Sequence, residues 1–199
     1  VGIYKDKEDI LNSPRTKAYP ADGNFKRNTV WPGDLKFADL SGPNGVPDSV
    51  IDEYDRTNLG SPFPKFTFGF NNIFKYKGLE LTVYINGSYG NKLMNYMGRS
   101  LSQMSDMWTN QLQTSVNRAK LEPIDPDKTY PFVNEYGITI SNWFDDIDNV
   151  RVKNPDTDVP RAMAGDPNEN NRISDRYIED GSYVRIKNIA LAYYVPAKY

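Results

Sequence analysis

The chain has 199 residues, 38% of them apolar, with a formal net charge of −2, 14 each of Gly, Pro and Tyr, and neither Cys nor His. A near-neutral chain with scattered Lys and Arg offers no field for nucleic acid. The missing residue types exclude a thiol nucleophile, a disulfide framework, a His-based triad and a Cys/His zinc site.

The Gly, Pro and Tyr content tilts the chain toward strands and loops, so an all-β class is expected. No leader of charged, apolar and small residues opens the sequence. No apolar run approaches the roughly 18 residues of a spanning helix. Transmembrane β-strands remain open, since each needs only about 9–11 alternating residues and leaves the average hydropathy polar.

Residues 1–62 read as a loop region. "NSPRTKAYPADGNFKRN" has no sustained period, "KEDILNS" has the makings of one helical turn, and "DLSGPNGVPDSVIDEYDR" is dense in carboxylates and turn formers. Residues 63–90 then alternate strictly. Phe66, Phe68, Phe70, Phe74 and Tyr76 fall on one face of a strand, with Thr67, Gly69, Asn71 and Lys75 on the other. After Lys77-Gly78, Leu79, Leu81, Val83 and Ile85 share a face opposite Glu80, Thr82, Tyr84, Asn86 and Ser88. This predicts a hairpin with a very short turn. Its runs of about a dozen residues exceed the usual 5–6 of soluble strands and suit a tilted membrane crossing. Phe63, Phe66, Tyr76 and Tyr89 stand where interfacial aromatics would. On periodicity alone a soluble sandwich hairpin is equally compatible.

Residues 91–179 form a long connection. It opens with helical spacing at Leu93, Met97, Leu101, Met104, Trp108 and Leu112, which predicts an amphipathic helix. From Glu122 to Asp175 it is rich in Pro, Asn and Asp, with short local elements expected around "YGITI". Residues 180–199 hold a last strand, "DGSYVRIKNIALAYYVP", and the start of a turn. Its apolar parity changes from Val184 and Ile186 to Ile189, Leu191, Tyr193 and Val195, so a β-bulge near Lys187-Asn188 is expected to keep both sets on one side. Pro196 is expected to stop the strand.

Taken together, "GDLKFADLSG", "IDEYDRTNLGSPFPKFTFGFNN", "YKGLELTVYINGSYGNKLMNYMGR", "NPDTDVPRA" and "SDRYIEDGSYVRIKNIALAYYVP" resemble the C-terminal part of SusC/RagA-family TonB-linked outer-membrane transporters. The resemblance spans most of residues 33 to 196. It implies an antiparallel 22-stranded transmembrane barrel in the bacterial outer membrane of Bacteroidetes, closed by a plug, driven by TonB and lidded by a SusD-like lipoprotein. It also implies import of oligosaccharide or peptide cargo rather than enzymatic bond making. The plug, the TonB-contacting part and most strands are absent from this sequence, and three strands in lipid cannot satisfy their own edges. A fragment of a larger barrel is therefore expected. With short periplasmic turns and long extracellular loops, residues 76–78 would face the periplasm, and 1–62 and 91–179 the outside.

The family carries a calcium-like D-x-N-x-D-G-x-I-D-x-x-D loop, and residues 39–55 match it in part through Asp39, Ser41, Asn44, Asp52 and Asp55, with Asp48 in an insertion and Gly45 at the turn. No cofactor is required by the resemblance, and Ca2+ is the one candidate. A hydrogen-bonded turn rich in Asp and Asn is the alternative. The paired acids Asp145-Asp146 and Glu179-Asp180 read as caps or solvated side chains rather than a glycosidase pair. Candidate cargo or partner contacts are Asn86, Ser88 and Asn91 near the rim and Tyr96, Trp108, Tyr136 and Trp143 in the long loop. Arg185 and Lys187 could also line the lumen. Competing readings are a soluble β-rich carbohydrate-binding module and a calcium-dependent structural domain.

Overall fold

The structure, a computed structural model, describes residues 2–105, 108, 110–133 and 136–195. Among them are two short α-helices, α1 (Lys7–Leu11) and α2 (Tyr96–Ser102). The strands are β1 (Phe66–Tyr76), β2 (Leu79–Tyr89), β3 (Lys92–Met94), β4 (Leu121–Pro123), β5 (Tyr130–Val133), β6 (Thr139–Asn142), β7 (Val150–Val152), β8 (Ile178–Asp180) and β9 (Tyr183–Tyr193). All strand pairs are antiparallel, as an all-β chain predicts. The chain divides into two compact units, Val1–Thr57 with Met97–Arg172, and Asn58–Tyr96 with Ile173–Tyr199.

The second unit is built on a three-stranded sheet in the order β1-β2-β9. β1 and β2 pair without slippage from Phe66↔Tyr89 to Tyr76↔Leu79. The two-residue turn between them has positive φ at both Lys77 (46°) and Gly78 (85°), the backbone of a tight primed hairpin turn. β9 pairs with β2 from Ser88↔Tyr183 to Leu79↔Tyr193, and the register shifts where Tyr84 faces Asn188 but Ile85 faces Ile186. Lys187 is the extra residue, so the bulge falls where the change of parity predicts it. Beyond the sheet, β3 and β8 continue the pairing for three residues. No closed barrel forms among the described residues: β1 and β9 are edge strands. The strand stop expected of Pro196 and the turn expected up to residue 199 lie outside the described residues.

The first unit is not the loose loop the Pro-rich sequence suggests. Tyr4, Ile10, Phe25, Val30, Trp31, Ile147 and Val150 form one buried cluster, and Ile3, Leu35, Ala119 and Val152 a second. Residues 1–57 and 97–172 thus share a core, although the sequence divides them between two separate loop regions. α1 forms because Asp6 caps it, accepting the Asp9 amide at 2.9 Å, and because it buries Ile10. Asp34 is fully buried and gripped twice by Arg161, at 2.8 Å from Nε and 3.0 Å from Nη2. It also accepts from the Trp31 amide at 2.9 Å and from Asn170 Nδ2 at 3.0 Å. Arg161 Nη2 in turn donates to the carbonyls of Arg27 and Thr29. A buried charge pair holds a fold together only when its remaining groups are satisfied like this. The two segments that carry it, "GDLKF" and "NPDTDVPRA", are among those on which the family resemblance rests.

The predicted helix is shorter than its spacing suggests. Leu93 lies in β3, α-helical turns among the described residues cover Tyr96–Ser102, and Leu112 precedes a 3-10 turn, Gln113–Asn117. The physical reason is pairing: Leu93 is held opposite Glu179 in the β3–β8 ladder, which removes it from the helix.

Candidate functional site

Paired residues of an antiparallel ladder point to the same side of the sheet. The register therefore sorts the three long strands into two faces. One face holds Phe66, Phe68, Phe70, Phe74 and Tyr76 of β1, Leu79, Leu81, Val83, Ile85 and Tyr89 of β2, and Val184, Ile186, Ile189, Leu191 and Tyr193 of β9. Asn72 is its one polar member on β1. The other face holds Thr67, Asn71 and Lys75, then Glu80, Thr82, Tyr84, Asn86 and Ser88, then Tyr183, Arg185 and Asn188. Ile73 is the large aliphatic exception there. The bulge makes this sorting possible. Without Lys187 the first and second halves of β9 would present opposite faces, since a one-residue shift flips every side chain beyond it.

On the two outer strands the large side chains of the apolar face lie in the open, while Leu81, Val83 and Ile85 between them are half-buried. Phe70, Phe74, Ile189 and Leu191 are 59%, 60%, 64% and 71% exposed. Isolated exposed apolar residues are ordinary on soluble proteins, but a contiguous patch across three strands marks a surface that something apolar covers. Aromatics gather at both ends of this face. Phe66 and Tyr89 have ring centroids 5.4 Å apart at one end, and Tyr76 and Tyr193 stand at the other. Each of the three strands has 11 residues, or about 36 Å of extended chain. At a tilt of about 45° this spans about 25 Å, the height of the apolar band of an outer-membrane barrel.

Of the sequence-predicted contact residues, Asn86, Ser88 and Asn91 come together at one end of β2. Ser88 Oγ donates to Asn91 Oδ1 at 3.1 Å, and the Asn91 carbonyl accepts the Gly181 amide at 2.9 Å. Gly181 is required there, because a Cβ would lie 2.3 Å from Asn91 Nδ2. The four loop aromatics are placed one by one. Tyr96 begins α2, Trp108 and Tyr136 are highly exposed, and Trp143 packs on the first core cluster with its ring 5.8 Å from Phe144. Sequence parity left the facing of Arg185 open, and the bulge resolves it onto the polar face opposite Asn86.

The carboxylates of residues 39–55 close a turn. Asp55 accepts from the amides of Leu40 (2.7 Å), Ser41 (3.2 Å) and Asp52 (2.8 Å). Asp52 accepts from Tyr54, Asp48 from Val50 and Asp39 from Ser49. Desolvation pushes the Asp55 carboxyl up, but the three amide donors and the Asp39 side chain together hold it below the usual range. Asp39 Oδ1 alone is buried without a partner, and no three acidic side chains converge among the described residues. Asp39, Asp48, Asp52 and Asp55 thus each accept at least one backbone N–H within this turn.

No family model matches the chain. It is 31% identical over 183 residues to TonB-dependent receptor P3 of Formosa agariphila, covering 89% of this chain and 14% of that protein. The chain is similar to a segment of TonB-dependent receptors. TonB-dependent receptor P26 of the same organism is 27% identical over 196 residues, 98% of this chain and 15% of that relative. The chain thus spans about a seventh of the length of the relatives it matches.

Proposed function

We propose that this chain is part of the barrel and external loops of a SusC/RagA-type TonB-dependent importer in the bacterial outer membrane. The observation that carries the reading is the sorting of the long sheet into one exposed apolar face and one polar face, kept in step through β9 by a single inserted residue. In this reading the apolar face meets lipid and the polar face lines the lumen. The free edges of β1 and β9 pair with further strands of the same barrel, because lipid leaves no other partner for their amides and carbonyls. Lys77-Gly78 turns at the periplasmic side, and the first unit lies outside the cell as a folded loop domain. Its partners are a SusD-like lipoprotein at the external loops and TonB at a part of the protein beyond this sequence. Cargo is an oligosaccharide or peptide fragment, and the chain performs no bond chemistry. The similarity to TonB-dependent receptors over most of the chain supports this reading.

The complete protein tests it. Outer-membrane fractionation should recover it with the barrel proteins, and the unheated band should migrate faster than the boiled one on a denaturing gel. Recovery in the aqueous fraction without detergent would overturn the reading in favour of a soluble β-rich module.

A further inference from the structure

The polar face of the sheet differs from end to end. Near the β1–β2 turn it is small and neutralised. Ala190 and Ala192 pair with Thr82 and Glu80, while Glu80 is bound by Lys75 at 3.0 Å and by the Tyr194 hydroxyl at 3.2 Å. At the other end Arg185 lies over the Tyr183 ring, its guanidinium carbon 5.2 Å from the centroid, and enters no ion pair among the described residues. Directly across the ladder, Asn86 Oδ1 is buried without a hydrogen-bond partner. Gly69 keeps the neighbouring surface low, since a Cβ there would come within 3.2 Å of the Tyr84 hydroxyl.

Residue parity alone would set Arg185 on the same side as Ile189, Leu191 and Tyr193, and the inserted Lys187 separates them. The sheet therefore holds, among the described residues, one guanidinium without an ion-pair partner on its polar face, over the Tyr183 ring and beside an amide oxygen in need of a donor. A guanidinium edge is matched by a carboxylate, which it grips through two parallel hydrogen bonds. The amide oxygen is matched by an adjacent O–H or N–H of the same molecule.

We propose that Arg185 and Asn86 form a cargo subsite for a carboxylate group that carries a neighbouring hydrogen-bond donor. This rests on reading the polar face as lumenal. Sugar acids and acidic peptides share that chemistry, and the test separates them. Binding to the complete transporter in detergent is measured by calorimetry with trigalacturonate and its carboxyl-reduced neutral counterpart, and with an aspartate-containing tripeptide and its amidated counterpart. One acid is expected to bind at least about tenfold more tightly than its neutral partner. Arg185→Met should abolish that preference, Arg185→Lys should retain part of it, and Asn86→Leu should weaken it. Whichever pair shows the preference identifies the source of the carboxylate. Equal binding of acid and neutral forms in both pairs, or a preference that survives Arg185→Met, would overturn the proposal. Labelling of Arg185→Cys and Ile186→Cys variants with a water-soluble thiol reagent tests the lumenal reading separately. Reaction of the first and not the second upholds that reading even where no acid preference exists, while the reverse pattern overturns both.

Discussion

Asp34 and Arg161 show how a single residue pair organises the first unit. The Asp34 carboxylate takes four donors, two from Arg161, one from the Trp31 amide and one from Asn170, and Arg161 also donates to the carbonyls of Arg27 and Thr29 in the segment that supplies the Trp31 amide. Burial pushes the Asp34 carboxyl up, and Arg161, Asn170 and the Trp31 amide oppose that push. Arg161→Ala leaves a charge buried without its partner and should destabilise the unit by about 3–5 kcal/mol. Hydrogen exchange checks this, because the Trp31 and Leu35 amides, bound to Asp34 and Asn170, should then exchange much faster. Tyr4 gives the unit a dependence on alkaline pH. Burial first, then Asp34 and Asp9, raise its hydroxyl to about 12. A folded-state value above the unfolded one means that the stabilisation is complete below about pH 10 and lost as pH rises toward 12. The loss should be of order 2–3 kcal/mol. Tyr4→Phe should remove that part of the pH dependence in denaturation measured between pH 9 and 12, and an unchanged profile would count against the burial of the hydroxyl.

Individual elements differ in how openly the sequence shows them. The β1–β2 hairpin, its turn and the bulge in β9 are legible because strand side chains alternate and each break in parity has one simple structural cause. The first unit is not legible, because Tyr4, Ile10, Phe25 and Trp31 meet Ile147 and Val150, and Ile3 and Leu35 join Ala119 and Val152, across long stretches of chain without any period to announce it. The helix is overextended in sequence because Leu93, Met97 and Leu101 satisfy helical spacing while Leu93 is claimed by a strand partner far along the chain. Asn86, Ser88 and Asn91 lie near one end of β2, and the orientation of Arg185 becomes definite only with the bulge. Deleting Lys187 should therefore do more damage than substituting it. Lys187→Ala should leave assembly of the complete barrel intact, whereas deletion reverses one half of β9 and should abolish the folded, heat-modifiable band. Equal tolerance of both changes would show that the strand adjusts its register elsewhere.

At the scale of the whole molecule, the two faces of the long sheet differ in what they are fitted to touch. An Arg at the lipid-facing centre of a barrel strand costs about 2–4 kcal/mol, so Val83→Arg should lower barrel stability by that amount in reversible unfolding in lipid, and Thr82→Arg by much less. A soluble sheet buried against other protein would penalise both according to packing alone. The chain contains no Cys, so single Cys labels placed in it report on defined positions. The most direct test labels the Val83→Cys and Thr82→Cys variants of the complete transporter with a small fluorophore and reconstitutes each into vesicles containing brominated lipid. Val83 and Thr82 are neighbours on β2 that fall on opposite faces. Strong quenching at position 83 and little at position 82 is the predicted result. Stronger quenching at position 82, or none at either, would contradict the assignment of the apolar face to the membrane.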